Sequence, residues 1–335
     1  MILSLRTHRL AAVLITAALL TAGCADAPGS SASADGGTVR LGYSAWPGWF
    51  PWKVAEEQGF FEDNGVDVEL TYFDSYTDSI NALNTGNLDA NSQTLNDTLA
   101  SVSGGAEQRV VLTNDNSTGN DAIIAAPGIT SVAQLKGRRV AAEQGTVDHF
   151  LLLLALEEAG LTEEDVEFTP LLTDAAAAAF VSGRVDAVGV FAPFTTTALS
   201  RQGSTVLASS KDFPGAISDH LVFSTEFVEA NGESVQGVVD AWFEAQAWIA
   251  DNRDAAVKTM AEQGGVTPAE YAEYDAGTTI LTREQNLAAF EPGDTAANLD
   301  HQARVLSEFL TSTGLAEQAP ELDGLFDQTF VEASE

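Results

Sequence analysis

Cysteine is almost absent: the only one in 335 residues is Cys24. No disulfide framework can form, so an exported chain would have to be held together by its core. Positive charge is scarce too. Fifteen Lys and Arg stand against 49 Asp and Glu, a formal net charge of −34, with no basic stripe. Such a surface repels nucleic acid and anionic lipid. Beyond the amino-terminal run, no segment has the length and apolarity of a transmembrane helix. Four histidines are scattered along the chain, and there is no HExxH, no GxSxG elbow and no P-loop. Asp148 and His149 are adjacent, and neighbours on one helix do not face each other as a catalytic pair must. No spaced set of metal ligands is visible. The chain reads as a non-enzyme without a cofactor.

What is present begins with an address. Arg6, His8 and Arg9 precede an apolar run over residues 10–20, then Leu20, Thr21, Ala22, Gly23 and Cys24. A basic start, a short apolar stretch and a small-residue exit form a secretory signal, too short to span a bilayer. The residues LTAGC resemble the bacterial lipobox. That resemblance implies a signal peptide over residues 1–23, lipidation (palmitate) of Cys24, and an anchor on the outer face of the cytoplasmic membrane. Loss of Arg6 and Arg9 with the signal would take the charge from −34 to −36. Residues 25–37 (ADAPGSSASADGG) are small, polar and aperiodic, a flexible tether that begins at Cys24.

From residue 39 onward, strand-like and helix-like segments alternate. Strands are expected over residues 39–43, 66–72, 88–92, 121–125, 139–142, 166–171, 185–191, 205–209 and 220–224. Helices lie between them, the first opening at Pro51 and closing at Gly59. This alternation implies an α/β fold with mostly parallel sheets covered by helices. Strong acidity can mark disorder, but 45% hydrophobic residues and clear periodicity read as a folded, well-solvated body. Residues 83–90 (LNTGNLDA) echo residues 180–187 (FVSGRVDA), which hints at two similar halves. After residue 224 the pattern is helical: residues 235–250, 268–274, 283–290 and 296–310. Trp242 and Trp248 fall on the apolar face of the first of these and read as core.

Three stretches resemble one family. GYSAWPGW (42–49) followed by AEEQGFFEDNGVDVEL, ITSVAQLKG (129–137) followed by RRVAAEQGT, and VSGRVDAVGVFAPF (181–194) are similar to the substrate-binding proteins of ABC importers for nitrate, sulfonates, taurine and thiamine precursors. The loops SAWPGW, NDT and EQGTVDHF are also similar to a subgroup associated with urea, guanidine and related amidines. The resemblance implies a two-lobed periplasmic-binding-protein fold of type II-like architecture, joined by two crossing strands, with a helical C-terminal extension. It places the crossings near residues 120–124 and 219–222, so that lobe one is 38–120 plus 223–335 and lobe two 121–222. It also implies a monomer that hands a small solute to a permease and an ATPase.

Ligands of α/β sheets sit beyond the carboxyl ends of the strands. The expected site therefore comprises Ser44, Trp46 and Trp49 from the first loop, and Gln93, Thr94, Asn96 and Asp97 from the next. Asp115, then Glu143, Gly145 and Thr146, Phe191, and Asp219 complete it. Three tryptophans within seven residues, interleaved with prolines and a glycine, do not follow one strand or helix face. Trp52 is expected to pack on its own helix, whereas Trp46 and Trp49 either line the cleft or pack the loop. His149 and His220 are placed on the cleft side. Aromatic faces and carboxylates without Lys or Arg favour a nitrogen-rich cation, such as guanidinium or a small amine, or a urea-like solute. Against this, Asp97 and Asp148 also suit helix caps, and helix N-termini can hold an oxyanion such as nitrate, a sulfonate or taurine.

Overall fold

The computed structural model describes residues 37–334. The signal segment, Cys24 and nearly all of the tether lie outside the described residues. The first sheet is begun by strands β1 (Val39–Ser44), β2 (Val68–Phe73), β3 (Ala90–Thr94) and β4 (Gln108–Ser117). Helices α1 (Pro51–Gln58), α2 (Phe60–Asp63), α3 (Tyr76–Asn84) and α4 (Leu95–Ser103) lie between them. The second sheet uses β5 (Asp121–Ala125), β6 (Arg139–Ala142), β7 (Glu167–Pro170), β8 (Ala187–Phe191) and β9 (Thr205–Ser209), with helices α5 (Val147–Glu158), α6 (Thr173–Val181) and α7 (Phe194–Leu199). The chain then returns to the first sheet through β10 (Ser218–Ser224).

The two sheets share one plan. Their orders are β11-β4-β10-β3-β1-β2 and β7-β6-β8-β5-β9, where β11 (Thr278–Ile280) is an added edge strand. In each, three strands run parallel, and the fourth is antiparallel and arrives directly from the other sheet. The antiparallel strands are β10 in the first sheet and β5 in the second.

The two crossings lie side by side. Residues 118–120 carry the chain out, and residues 210–217 bring it back. Gly119, at φ 147°, makes the turn that a side chain would strain. Its N–H donates to Ser210 Oγ at 2.8 Å, and Ser117 N donates to the carbonyl of Ile217 at 3.0 Å. The return falls earlier than sequence alternation indicated. Ser218 and Asp219 already pair with Asn116 and Asp115 of β4, so β10 belongs to the first sheet from its start. The cause is a register shift between Asp219 and His220, which breaks the period-two signal that marks a strand's beginning.

Capping explains where the helices begin. Ser75 and Thr94 accept from the backbone N–H three residues on, fixing the starts of α3 and α4. The carboxyl-terminal third is α8 (Thr225–Ala230), α9 (Gly232–Asp251), α10 (Arg253–Gln263), α11 (Pro268–Tyr274), α12 (Arg283–Phe290), α13 (Leu299–Thr313) and α14 (Thr329–Ala333). It packs back on the first sheet. Trp242 of α9 is fully buried and meets Trp52 of α1 at 4.5 Å between ring centroids, and Trp52 stacks on Phe61. Trp248 is only half-buried, packed at the margin of that core. Helix α10 has no counterpart in the periodicity, because it buries only Ala256, Met260 and Ala261. No helix among the described residues is long and apolar enough to cross a membrane.

Candidate functional site

The loop after β1 winds as consecutive turns. Trp49 N donates to the carbonyl of Trp46 and Trp52 N to that of Trp49. Residues three apart on such turns would share one side, yet the rings part where the irregular loop passes into α1. Trp52 drops into the core, where its indole N–H donates to Ser92 Oγ at 2.8 Å. Trp46 and Trp49 point the other way and line a small, narrow cavity between the sheets.

Two further rings complete a circuit around that cavity. Tyr76 opens α3, and Phe191 ends β8 in the second sheet. Ring centroids are 6.4 Å apart for Trp46–Trp49 and 5.5 Å for Trp49–Tyr76. They are 6.2 Å apart for Tyr76–Phe191 and 6.3 Å for Phe191–Trp46. The four rings form a closed box. The same cavity is lined by Thr94, Asp121, Val147, Ile217 and Asp219.

Strand register brings the carboxylates there. Asp219 lies opposite Thr94 of β3 on one side and Asp115 of β4 on the other. Asp121, the first residue of β5, lies opposite Phe191. Asp115, Asp121 and Asp219 are buried, and the Oδ2 atom of each has no hydrogen-bond partner. Trp46 Nε1 donates to Asp115 Oδ1 at 3.0 Å, so this carboxylate orients one wall of the box. The loop comes very close at Gly48, where a Cβ would lie 2.0 Å from Asp115 Oδ2. Only glycine leaves room for both.

Burial raises these carboxyl groups. Asp97, Asp115 and Asp121 are each pushed up to about 7 by desolvation, and Asp219 is held well above the ordinary range by burial and by the Asp115 charge. Burial also lifts the Tyr76 phenol. No Lys or Arg is among the lining residues. The indole Nε1 of Trp49 is a buried donor without a partner.

Of the residues expected from sequence, Trp46, Trp49, Thr94, Phe191 and Asp219 line the cavity, and Asp115 supports it from behind. Ser44 lines an adjoining space with Glu143, Tyr76 and Phe191. Asp97 lies beneath Thr94, accepting from Thr94 Oγ1 at 2.7 Å and from Asn96 Nδ2 at 2.9 Å. Gln93 does not reach the cavity. Strand alternation turns it to the opposite face, where it bonds Asn91, Thr98 and Gln108. Asn96 does not line the cavity and donates through Nδ2 to Asp97, Thr146 donates to the carbonyl of Glu143, and the Gly145 N–H donates to His149 Nδ1.

Neither histidine is on the cleft side. His149 stacks on Phe168 and pairs with Glu163. His220 is turned into the core between Thr113 and Ser218, and burial presses its pKa to about 3. Sequence reasoning missed Tyr76, Asp121, Val147 and Ile217. Only Asp121, at the start of a strand, carried a signal that could have found it.

Glu143 joins the two halves. Oε1 accepts from Thr77 Oγ1 at 2.5 Å and Thr77 N at 3.3 Å, on α3 beside the first sheet. Oε2 accepts from Thr173 Oγ1 at 2.7 Å and Thr173 N at 3.1 Å, on the second. Thr196 of α7 meets Tyr274 of α11 hydroxyl to hydroxyl at 2.9 Å. These contacts hold the cleft closed over the cavity.

Two α/β lobes around a cleft, exchanging one antiparallel strand each, define the periplasmic-binding-protein architecture, and solved proteins of that fold superpose on this chain. Residues 33–263 match the model of the NMT1-like family, and the chain belongs to that family. It is similar to an Escherichia coli (strain K12) protein provisionally named for binding aliphatic sulfonates, 32% identical over 58% of this chain and 61% of that relative's length. It is also similar to the taurine-binding periplasmic protein of the same strain, at 25% identity over 78% of this chain and 88% of the relative. The alkanesulfonate-binding protein of Xanthomonas axonopodis pv. citri, solved with MOPS bound, superposes with a TM-score of 0.74 over 87% of this chain and 98% of its own, at 21% identity.

Proposed function

We propose that the chain is the solute-binding component of an ABC-type importer, and that its guest is a small, nitrogen-rich solute bearing positive charge or urea-like polarity. The observation that carries this is the closed box of four aromatic rings backed by buried carboxylates whose outer oxygens lack donors. Aromatic faces attract a cation by about 0.5–2 kcal/mol each, according to how far it is desolvated. A buried carboxylate oxygen without a donor costs stability until an N–H or a proton reaches it. Guanidinium and small amines bring both charge and N–H groups. Urea brings N–H groups and a carbonyl that the free Trp49 indole N–H can meet.

The relatives named for sulfonates and taurine favour a second reading, an oxyanion guest. An oxyanion would have one indole donor here and several carboxylates against it, with no Lys or Arg on the wall. The cation reading therefore stands ahead. Export and lipidation at Cys24 belong to the same proposal. They would leave a tethered receptor that opens, captures and releases its guest unchanged, with a permease and an ATPase as partners.

Thermal unfolding of the mature protein with guanidinium, urea, methylammonium, nitrate and taurine tests the reading. A true ligand at a hundred times its Kd adds about 2.7 kcal/mol of stability. Stabilisation by guanidinium or urea is expected. Stabilisation by nitrate or taurine alone would replace this reading with the oxyanion one.

A further inference from the structure

Asp115 and Asp219 occupy directly opposed positions in the β4–β10 register, both buried, each with one oxygen that nothing in the protein donates to. They stand close enough to hydrogen-bond once one of them carries a proton. Asp219 and Asp121 stand on the cavity wall, whereas Asp115 lies behind Asp219 with its unpartnered oxygen against Gly48. Neighbouring bare carboxylates in a dry interior repel one another strongly, so the cluster must be neutralised by a proton or by a cation.

We propose that this triad is the specificity-determining end of the site. It takes a planar cation through N–H groups, of the guanidinium or amidinium class, and exchanges a proton for it. The proposal rests on the cation reading given above. The balance is simple: the protonated site plus the cation gives the ionised site holding the cation, with one proton released to solvent. A quaternary ammonium ion satisfies the aromatic box but carries no N–H, so it leaves the Asp121 and Asp219 oxygens at the wall unpartnered and is rejected.

The surroundings agree with the exchange. On β10, His220 faces away into the core. From the loop after β1, Trp46 donates to Asp115. Tyr76 on α3, Asp97 on α4 and Tyr271 on α11 are the other titratable groups nearby; from the second lobe, Glu143 raises Asp97, and Asp148 is itself raised by burial and by the Glu143, Asp121 and Asp97 charges. Residues Thr278–Ile280 of β11 bring no charge. Arg253 reaches Tyr271 but pairs with Asp275. Burial pushes Asp115 and Asp121 up to about 7, and it holds Asp219 well above its ordinary value, so the site keeps a proton at mildly acid pH.

Titration calorimetry of the mature protein at pH 5.5, 6.5 and 8.5, in two buffers of different ionisation enthalpy, tests this with guanidinium and tetramethylammonium chloride as probes and taurine as control. Expected at pH 5.5 is release of about one proton per guanidinium, vanishing at pH 8.5. Affinity should weaken about tenfold per pH unit below 7. Tetramethylammonium should bind at least a hundredfold more weakly. Asp219→Asn and Asp115→Asn, near-isosteric changes, should each abolish proton release. Guanidinium binding with no proton release and no pH dependence would overturn the exchange while leaving the cation reading intact, and so would tetramethylammonium binding equally well. Taurine binding with neither cation bound would overturn both.

Discussion

The two lobes are built alike and equipped differently. In the first, Arg40 donates through N, Nε and Nη2 to the Asp89 carboxylate, and Asp89 N returns a bond to the Arg40 carbonyl. In the second, Arg139 makes the same set to Asp186, which returns the same bond. Both clamps tie the start of the middle parallel strand of a sheet, β1 or β6, to the turn before its parallel neighbour, β3 or β8, the place where LNTGNLDA and FVSGRVDA echo each other. The chemistry of the cavity shows no such symmetry. The first lobe supplies Trp46, Trp49, Tyr76, Thr94 and Asp219, whereas the second supplies Phe191, Asp121 and Val147. A duplicated scaffold thus places its loops symmetrically, and under the proposed function the residues carried on those loops would make one lobe the reader and the other the cover.

Substitutions can break that division. Trp46→Ala and Trp49→Ala should each weaken guanidinium binding by about 2- to 30-fold, from about 0.5–2 kcal/mol of lost cation–π attraction. Phe191→Ala, on the covering lobe, should cost less. Equal losses, read by calorimetry, would erase the distinction between reader and cover.

The pH dependence of the ligand-free protein is the next largest effect. Asp97, Asp115 and Asp121 are raised to about 7 from ordinary values near 4, so the folded state binds more protons than the unfolded chain between those limits. Their contribution is present at low pH and is lost as pH rises through 7. His220, depressed to about 3, works the other way below 6.5. One imidazole opposes several carboxyls, so the melting temperature should rise as pH falls from 8 to 5, and saturating guanidinium should flatten that slope. A melting temperature that falls over this range would contradict the buried, protonated cluster.

Smaller again is the clasp. Glu143→Gln keeps the shape but turns one acceptor into a donor facing Thr77 or Thr173, and it should speed guanidinium release severalfold in stopped-flow measurements with little change in association. The smallest effects belong to the paired clamps. Arg40→Ala and Arg139→Ala should lower the melting temperature slightly and by similar amounts, because both guanidinium groups are well exposed. Neither should change affinity. A loss of affinity in one and not the other would show that the lobes are coupled to the site unequally.

Much of this was legible beforehand because it depends on local rules. Alternating strands and helices, Pro51 and Gly59 around α1, and the glycine-ended echo all report period, capping and turn preference. The aromatic loop stood out because three rings in seven residues are interleaved with prolines and a glycine that break any regular face. Tyr76 was hidden because an aromatic at a helix start looks like core. Gln93 and His220 were misplaced because one step along a strand reverses the face, and the return strand's beginning was blurred by its register shift. Helix α10 escaped because its buried face is narrow.

The sequence by itself determined the α/β alternation, the duplicated half, the acidity and the aromatic loop, since each is written in neighbouring residues. Only the tertiary structure decided that Phe191 closes a box with three rings from the other lobe, and that Asp115, Asp121 and Asp219 cluster in one dry interior. Those groups lie up to a hundred residues and more apart, and what joins them is strand register across two sheets and the crossing between them. No local pattern encodes that register.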